Sequence, residues 1–220
     1  MFCLQNPLSR PISMPPAEGI GIYDQQFEHL STRNITIPDV FISYKYFHHV
    51  ERELRRDFTF KSNILDTARR WLKSRIPDEW KDKEFVRVMI HVRRTDRATA
   101  EHVREGWPQP TAQYFRRSMS YFTDCLERVQ FVVLSDDPAW CRKHMQVANI
   151  VFSSGHSPIV DMAIASLCDH AIITVGTFGW WAAWFANGVT ITQKNIPING
   201  SNLSKRLRRA DHYKPEWIGF

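Results

Sequence analysis

Four cysteines, Cys3, Cys125, Cys141 and Cys168, are all the chain has, and no two stand in Cys-x-x-Cys spacing. Neither a zinc site nor a disulfide framework follows, and buried free thiols are the reading that spacing favours. Asp-x-Asp is absent, so the simplest carboxylate pair for holding a divalent metal against a phosphate is missing. The opening MFCLQNPLSRPISMPP lacks a long apolar core and is broken by prolines, so neither a signal peptide nor an anchor is read there. One uncharged stretch, 171–193, is long enough to cross a bilayer, but Gly176, Gly179, Asn187 and Gly188 divide it. It reads as strand, loop, small aromatic helix and second strand. The basic clusters at 52–56 and 205–209 have no RNA-recognition or zinc-finger pattern beside them and read as solvated faces, with no nucleic-acid partner expected.

What is present suits a globular chain. Of 220 residues, 43% are apolar and 24% charged, enough to bury a core, and a net charge of +6 admits phosphorylated ligands. Asn34, Asn199 and Asn202 open three glycosylation tripeptides. The first forty residues are rich in Pro, Ser, Asn and Gly and read as loop. Two amphipathic helices are predicted between Ile42 and Ile76. Strands then read at 85–92, 130–134, 149–152, 171–175 and 189–192. Helices lie between them, one opened by Thr111, one by Asp137 with Pro138, one by Ser157 with Pro158. In the aromatic helix Trp180 and Trp184 share a face predicted to pack on the sheet, with Trp181 turned about 100° away.

Strands joined by helix-length crossovers predict a largely parallel sheet covered on both faces. Ligands of such sheets sit beyond the carboxyl ends of the strands. Two loops occupy those ends. His91 to Asp96 offers two guanidinium groups for phosphate oxygens, and Gly176 to Gly179 offers backbone N–H groups at a helix start. Together they describe a nucleotide diphosphate site.

HVRRTD at 91–96, VDMAIASLCDHAIITVGTFGWWAAWFANG at 160–188 and the closing PEWIGF, with SYKYFHH from Ser43, carry a resemblance to the galactoside α-1,2-fucosyltransferases. Those inverting enzymes move L-fucose from GDP-fucose to the 2-hydroxyl of a galactoside. The resemblance implies a GT-B-like α/β fold, with residues 85–220 as the Rossmann-like GDP-fucose-binding domain and 1–84 as an incomplete acceptor-side region of loop and two helices. It also implies a galactose-containing glycan as acceptor, no metal or other cofactor, and the lumenal side of the Golgi membrane, reached through a family anchor that this chain does not show. The chain looks truncated at its start. HVRRTD followed by Glu101 is closer to the α-1,6 enzymes, so α-1,6 or protein O-fucosyl transfer stays open beside the α-1,2 reading, as does an inactive fragment that binds GDP-fucose.

Matching positions imply roles. Arg94, with Arg93 second, faces the diphosphate; adjacent strand residues point to opposite faces, so one of the two meets phosphate and the other braces the loop. His91 and Asp161 hold the guanine end, unless the first is simply a half-buried strand residue and the second a first-turn carboxylate. Thr174, Thr177, Phe178 and Gly179 complete the phosphate cradle. Asp96 and Glu101, both placed in the loop after the strand, are the candidates for the general base, with Asp96 also suited to pairing with an arginine of its own loop.

Overall fold

In a strand such as VRVMIHV successive side chains point to opposite faces, and in the computed structural model of the chain helices cover both. The structure describes residues 19–28 and 42–220, together with the backbone of 12–13 and 35–36. A short parallel pair, β1 (Ile12–Ser13) with β2 (Ile35–Thr36), comes first. α1 (Glu51–Asp57) and α2 (Ser62–Lys73) follow. Next are β3 (Val86–Val92), α3 (Ala100–Glu105), α4 (Ala112–Thr123) and β4 (Val129–Ser135). Then come α5 (Pro138–His144), β5 (Ile150–Phe152), α6 (Pro158–Ala165) and β6 (His170–Ile173). The chain closes with α7 (Thr177–Ala186), β7 (Thr190–Thr192), α8 (Arg209–His212) and β8 (Ile218–Gly219).

β3 to β8 form the expected parallel sheet, in the order β5-β4-β3-β6-β7-β8. Counted from β3 this is the doubly wound order 3-2-1-4-5-6, which reverses between β3 and β6 and opens a crevice at their carboxyl ends. Met89, Val132, Leu134, Ala171 and Ile173 pack against Ala68 and Leu72 of α2, Ala163 and Ile164 of α6, and Ala182 and Ala183 of α7. On the other face Val88, Ile90, Val92, Phe131 and Val133 meet Tyr114, Phe115, Met119 and Phe122 of α4 and Cys141 of α5. Sheets buried on both sides need such apolar runs.

Helix starts follow the caps in the sequence. The Thr111 hydroxyl accepts the Tyr114 N–H and the Asp137 carboxylate accepts the Trp140 N–H. Ser157 precedes α6 without a side-chain cap bond. The first predicted amphipathic helix is cut short: residues Tyr44–Tyr46 and His48–Val50 are separate 3-10 turns, and α1 starts only at Glu51. Tyr, Phe and His lose side-chain freedom in a helix, and the better formers Glu, Arg and Leu begin where α1 does.

The uncharged stretch is β6, α7 and β7, and among the described residues no helix is long and apolar enough to cross a membrane. Trp180 and Trp184 are buried, as the helix assignment requires. Both belong to the buried cluster that holds Met89, Ala171 and Ile173 of the sheet, and their rings also meet Phe47, Phe58 and Trp217, while Gly179 abuts His91 of β3. Gly179 lets α7 close on β3, and the indoles extend the same core to Phe47 and Phe58. Of the cysteines, Cys141 and Cys168 are buried and free; Cys125 is free but exposed at the end of α4, a correction to the buried reading, and Cys3 lies outside the described residues.

Candidate functional site

β3 and β6 end side by side, with His91 opposite Ile173. Beyond that pair the Thr174 N–H donates to the His91 carbonyl (3.2 Å) and the Arg93 N–H donates to the buried Thr174 hydroxyl (2.9 Å). The two strand ends are thereby fixed to one another. Gly176, at φ +107, then turns the chain into α7. The N–H groups of the first helical turn have no partner within the helix, and they open where β3 ends.

Strand alternation decides what reaches this opening. His91 and Arg93 share a face, and both line a cleft of about 270 Å³ with Arg97, Trp107, Gly176, Thr177 and Phe178. Ile20, Ile42 and His212 close its far side. The Arg93 guanidinium donates from Nε and Nη2 to the two Asp96 oxygens (2.7 and 2.8 Å), and Asp136 lies 3.6 Å from Nε. Hydrogen bonding from Arg93 holds the Asp96 carboxyl below its ordinary range, helped by Arg97. Arg97 stands 3.6 Å from Asp96 and 5.4 Å from the centre of the Trp107 ring.

Arg94 takes the opposite face, that of Val92. Its guanidinium lies 4.2 Å from the centre of the Trp140 ring and donates to Asp137 (3.3 Å), and its backbone N–H donates to Asp136 (2.8 Å). It does not line the cleft. The structure therefore puts Arg93 at the opening and makes Arg94 the brace between the ends of β3 and β4, the reverse of the order given to the pair above.

His91 is 5% exposed, its ring 5.3 Å from Phe178 and its Nδ1 buried against Gly179 without a partner among the described residues. Burial pushes its pKa down to about 4, so the imidazole is neutral at pH 7. Asp161, in the first turn of α6, accepts the Ser153 hydroxyl (2.6 Å); burial raises its pKa, and it lies outside the cleft lining. Glu101 is exposed in the first turn of α3, capped by Thr99, where a loop was expected. Thr177 and Phe178 line the cleft; Thr174 stands behind it, its hydroxyl already engaged, and Gly179 seats α7 on His91. Asn199 and Asn202 are exposed, and Asn34 lies outside the described residues.

Sequence reasoning missed Arg97, Trp107, His212, Ile20 and the 42–46 segment. Arg97 was legible as a third cation four residues after Arg93. The segment was not, because long-range contacts place it: Ser43 donates to the Asp211 carbonyl (2.6 Å), Lys45 pairs with Asp211 (2.6 Å), and His212 Nδ1 bonds the Ile42 carbonyl (2.7 Å).

The sequence profile of glycosyl transferase family 11 matches residues 21–220. A galactoside 2-alpha-L-fucosyltransferase of Bos taurus is 29% identical over 201 residues, 89% of this chain and 54% of that protein. Galactoside alpha-(1,2)-fucosyltransferase 1 of Alouatta belzebul is 31% identical over 183 residues, 80% of this chain and 50% of that protein. Galactoside alpha-(1,2)-fucosyltransferase 2 of Sus scrofa is 29% identical over 204 residues, 89% and 58%. The chain thus spans little more than half the length of these relatives. Among solved structures, the NodZ alpha-1,6-fucosyltransferase soaked with GDP-fucose superposes with a TM-score of 0.50 at 15% identity, over 73% of this chain and 54% of that one. That likeness establishes a shared fold.

Proposed function

This chain belongs to glycosyl transferase family 11, and from that premise we propose that it binds GDP-fucose in the cleft between β3 and β6. The reaction we propose for the protein it represents is inverting transfer of L-fucose to the 2-hydroxyl of a galactoside, without a metal, on the lumenal side of the Golgi membrane. Residues 85–220 supply the donor-binding unit in this reading.

One observation carries it: the switch point of the sheet brings Arg93, Arg97 and the start of α7 to a single opening. A diphosphate there would meet a guanidinium fork, a second cation and unpaired helix N–H groups, three donors that suit phosphate oxygens. As the bond from sugar to phosphate breaks, charge grows on the departing oxygen, and donors already in place stabilise it without reorganising. Asp96 does not stand free to take a proton. It orients Arg93, and Glu101 is the carboxylate we assign to the acceptor hydroxyl. His91 and Phe178 are assigned to the guanine end, where a neutral imidazole suits a base edge better than a charged one.

Titration of the chain with GDP tests the donor half of this reading. Saturable binding that weakens with salt and is indifferent to EDTA supports it; no binding overturns it. Binding without transfer from GDP-fucose to a galactoside would mark the chain as a donor-binding fragment.

A further inference from the structure

On the face of the sheet away from α7, beyond the carboxyl ends of β7 and β8, the start of α4 meets residues 193–195 and Phe220 around a pocket of about 300 Å³. The function proposed above uses none of its residues. Ile191 packs in the α4 cluster, and strand alternation carries the Gln193 side chain to the same side, where it lines the pocket. Gln193 is 3% exposed, yet its Oε1 is buried without a hydrogen-bond partner among the described residues. Gln109 lines the same pocket and its Oε1 is in the same condition, while its Nε2 donates to the Arg97 carbonyl.

Folded proteins pair nearly all of their buried acceptors, and two left over beside one pocket point to a donor that enters it. The Gln193 amide can turn about its last torsion to offer either end to such a group. The charge of the rim says what else the donor carries. Arg117 and Lys194 are the charged side chains of the lining, which has no Asp or Glu, and among the described residues neither pairs with a carboxylate. Arg117 lies against the Phe220 ring, 5.3 Å from its centre. At the start of α4 the Thr111 hydroxyl takes the Tyr114 N–H, which leaves the N–H groups of Ala112 and Gln113 with no acceptor inside the helix. Twelve residues of aligned peptide dipoles stand behind them.

We propose that this pocket binds a sugar acid, a monosaccharide ring whose carboxylate meets Arg117, Lys194 and the first turn of α4 and whose hydroxyls meet the amides of Gln109 and Gln193. A simple carboxylate would leave the amide oxygens unpaired, and a neutral sugar would leave the two cations without a counter-charge. A ring that carries both groups satisfies both sets. The space of about 300 Å³ stands at the lower end of the range for ligand pockets, which suits one ring.

The test is a magnetic-resonance titration of the isotope-labelled 220-residue chain at constant ionic strength. The probes are D-glucuronate, its neutral parent D-glucose, and acetate. The signals followed are the side-chain amides of Gln109 and Gln193 and the backbone N–H of Gln113. D-Glucuronate is expected to bind with a Kd of about 1 mM, as the affinity attainable per atom allows for so small a ligand. It should bind about 10-fold or more tightly than D-glucose or acetate, the worth of hydrogen bonds to a charged group that neither control makes together with the hydroxyl contacts. Arg117 is exposed, so Arg117→Gln keeps the fold, and it should weaken D-glucuronate about 10-fold while leaving D-glucose unchanged. Gln193→Leu should weaken D-glucuronate without lowering the urea midpoint, since the amide it removes holds no protein partner. The methyl glycoside of D-glucuronate separates two sources of the acid: retained affinity admits a residue within a glycan, lost affinity restricts the pocket to the free sugar, and either supports the class. No saturable shift with D-glucuronate overturns the proposal. Equal binding of acetate overturns it too, reducing the pocket to a patch of positive charge, as does parental affinity in both variants. None of these outcomes depends on whether GDP binds at the other face of the sheet.

Discussion

A methyl group placed on Gly179 would lie 2.4 Å from Nδ1 of His91. No real Cβ sits so close to a ring atom, so α7 rests on β3 at the single position where its side chain is a hydrogen. That contact sets the height of the helix start above the strand end, and hence the depth of the cleft. Gly179→Ala is expected to cost about 1–3 kcal/mol of stability by overpacking, read as a lower urea midpoint, and to weaken GDP binding by lifting the first turn of α7. Unchanged stability and affinity would show that the contact is slack.

Residues 20–23 and 42–46 are held beside the cleft by Asp211, whose carboxylate pairs with Lys45 (2.6 Å) and accepts the Tyr23 N–H (3.2 Å). The Asp211 side chain is 9% exposed and that of Lys45 34%, so this pair is screened less than a surface one, though not fully desolvated. Asp211→Ala strands an ammonium and a backbone donor, and should cost about 2 kcal/mol by denaturant melt. Limited proteolysis should then cut at residues 42–46 sooner than in the sheet. A melt superimposable on that of the parent would show the segment to be held by other contacts.

Acid should unfold the chain before its carboxylates titrate. Burial pushes His91 and His212 down to about 4, while unfolded histidine titrates near 6.5. Below pH 6.5 the unfolded chain binds more protons than the folded one, so the stability these residues contribute is whole above that pH, falls as pH drops, and is gone below about 4. Each is worth about 3 kcal/mol at full extent. Urea midpoints measured from pH 7 to 4.5 should decline, and His91→Phe should flatten the decline. A pH-independent midpoint across that window contradicts the assignment of both rings as buried and neutral.

Much of this architecture was legible. Apolar alternation and cap residues marked β3 to β7 and helices α4 to α6, and their order implied the parallel sheet and the strand-end crevice. β8 was not legible, because Ile218–Gly219 is too short to show a period. α3 has only six residues, although Thr99, which accepts the His102 N–H, was a readable cap. The side on which Arg93 falls could also have been read: if His91 faces the ligand, period-two alternation puts Arg93 with it and Arg94 behind. What no local pattern carried was the seating of α7 and of the 42–46 segment, both of which depend on residues far apart in the chain.

The account turns on which arginine meets the diphosphate, and affinity for GDP measured in Arg93→Ala and Arg94→Ala at one fixed salt concentration decides it. Among the described residues Arg93 Nη1 makes no hydrogen bond, and loss of the side chain should weaken GDP binding about 10- to 100-fold, as for one or two hydrogen bonds to a charged group. Arg94→Ala should instead lower stability by about 1–2 kcal/mol through the lost Trp140 and Asp137 contacts and change GDP affinity by less than about threefold. The reverse pattern, Arg94→Ala abolishing binding and Arg93→Ala leaving it intact, would contradict the placement of the site on the His91 face of β3.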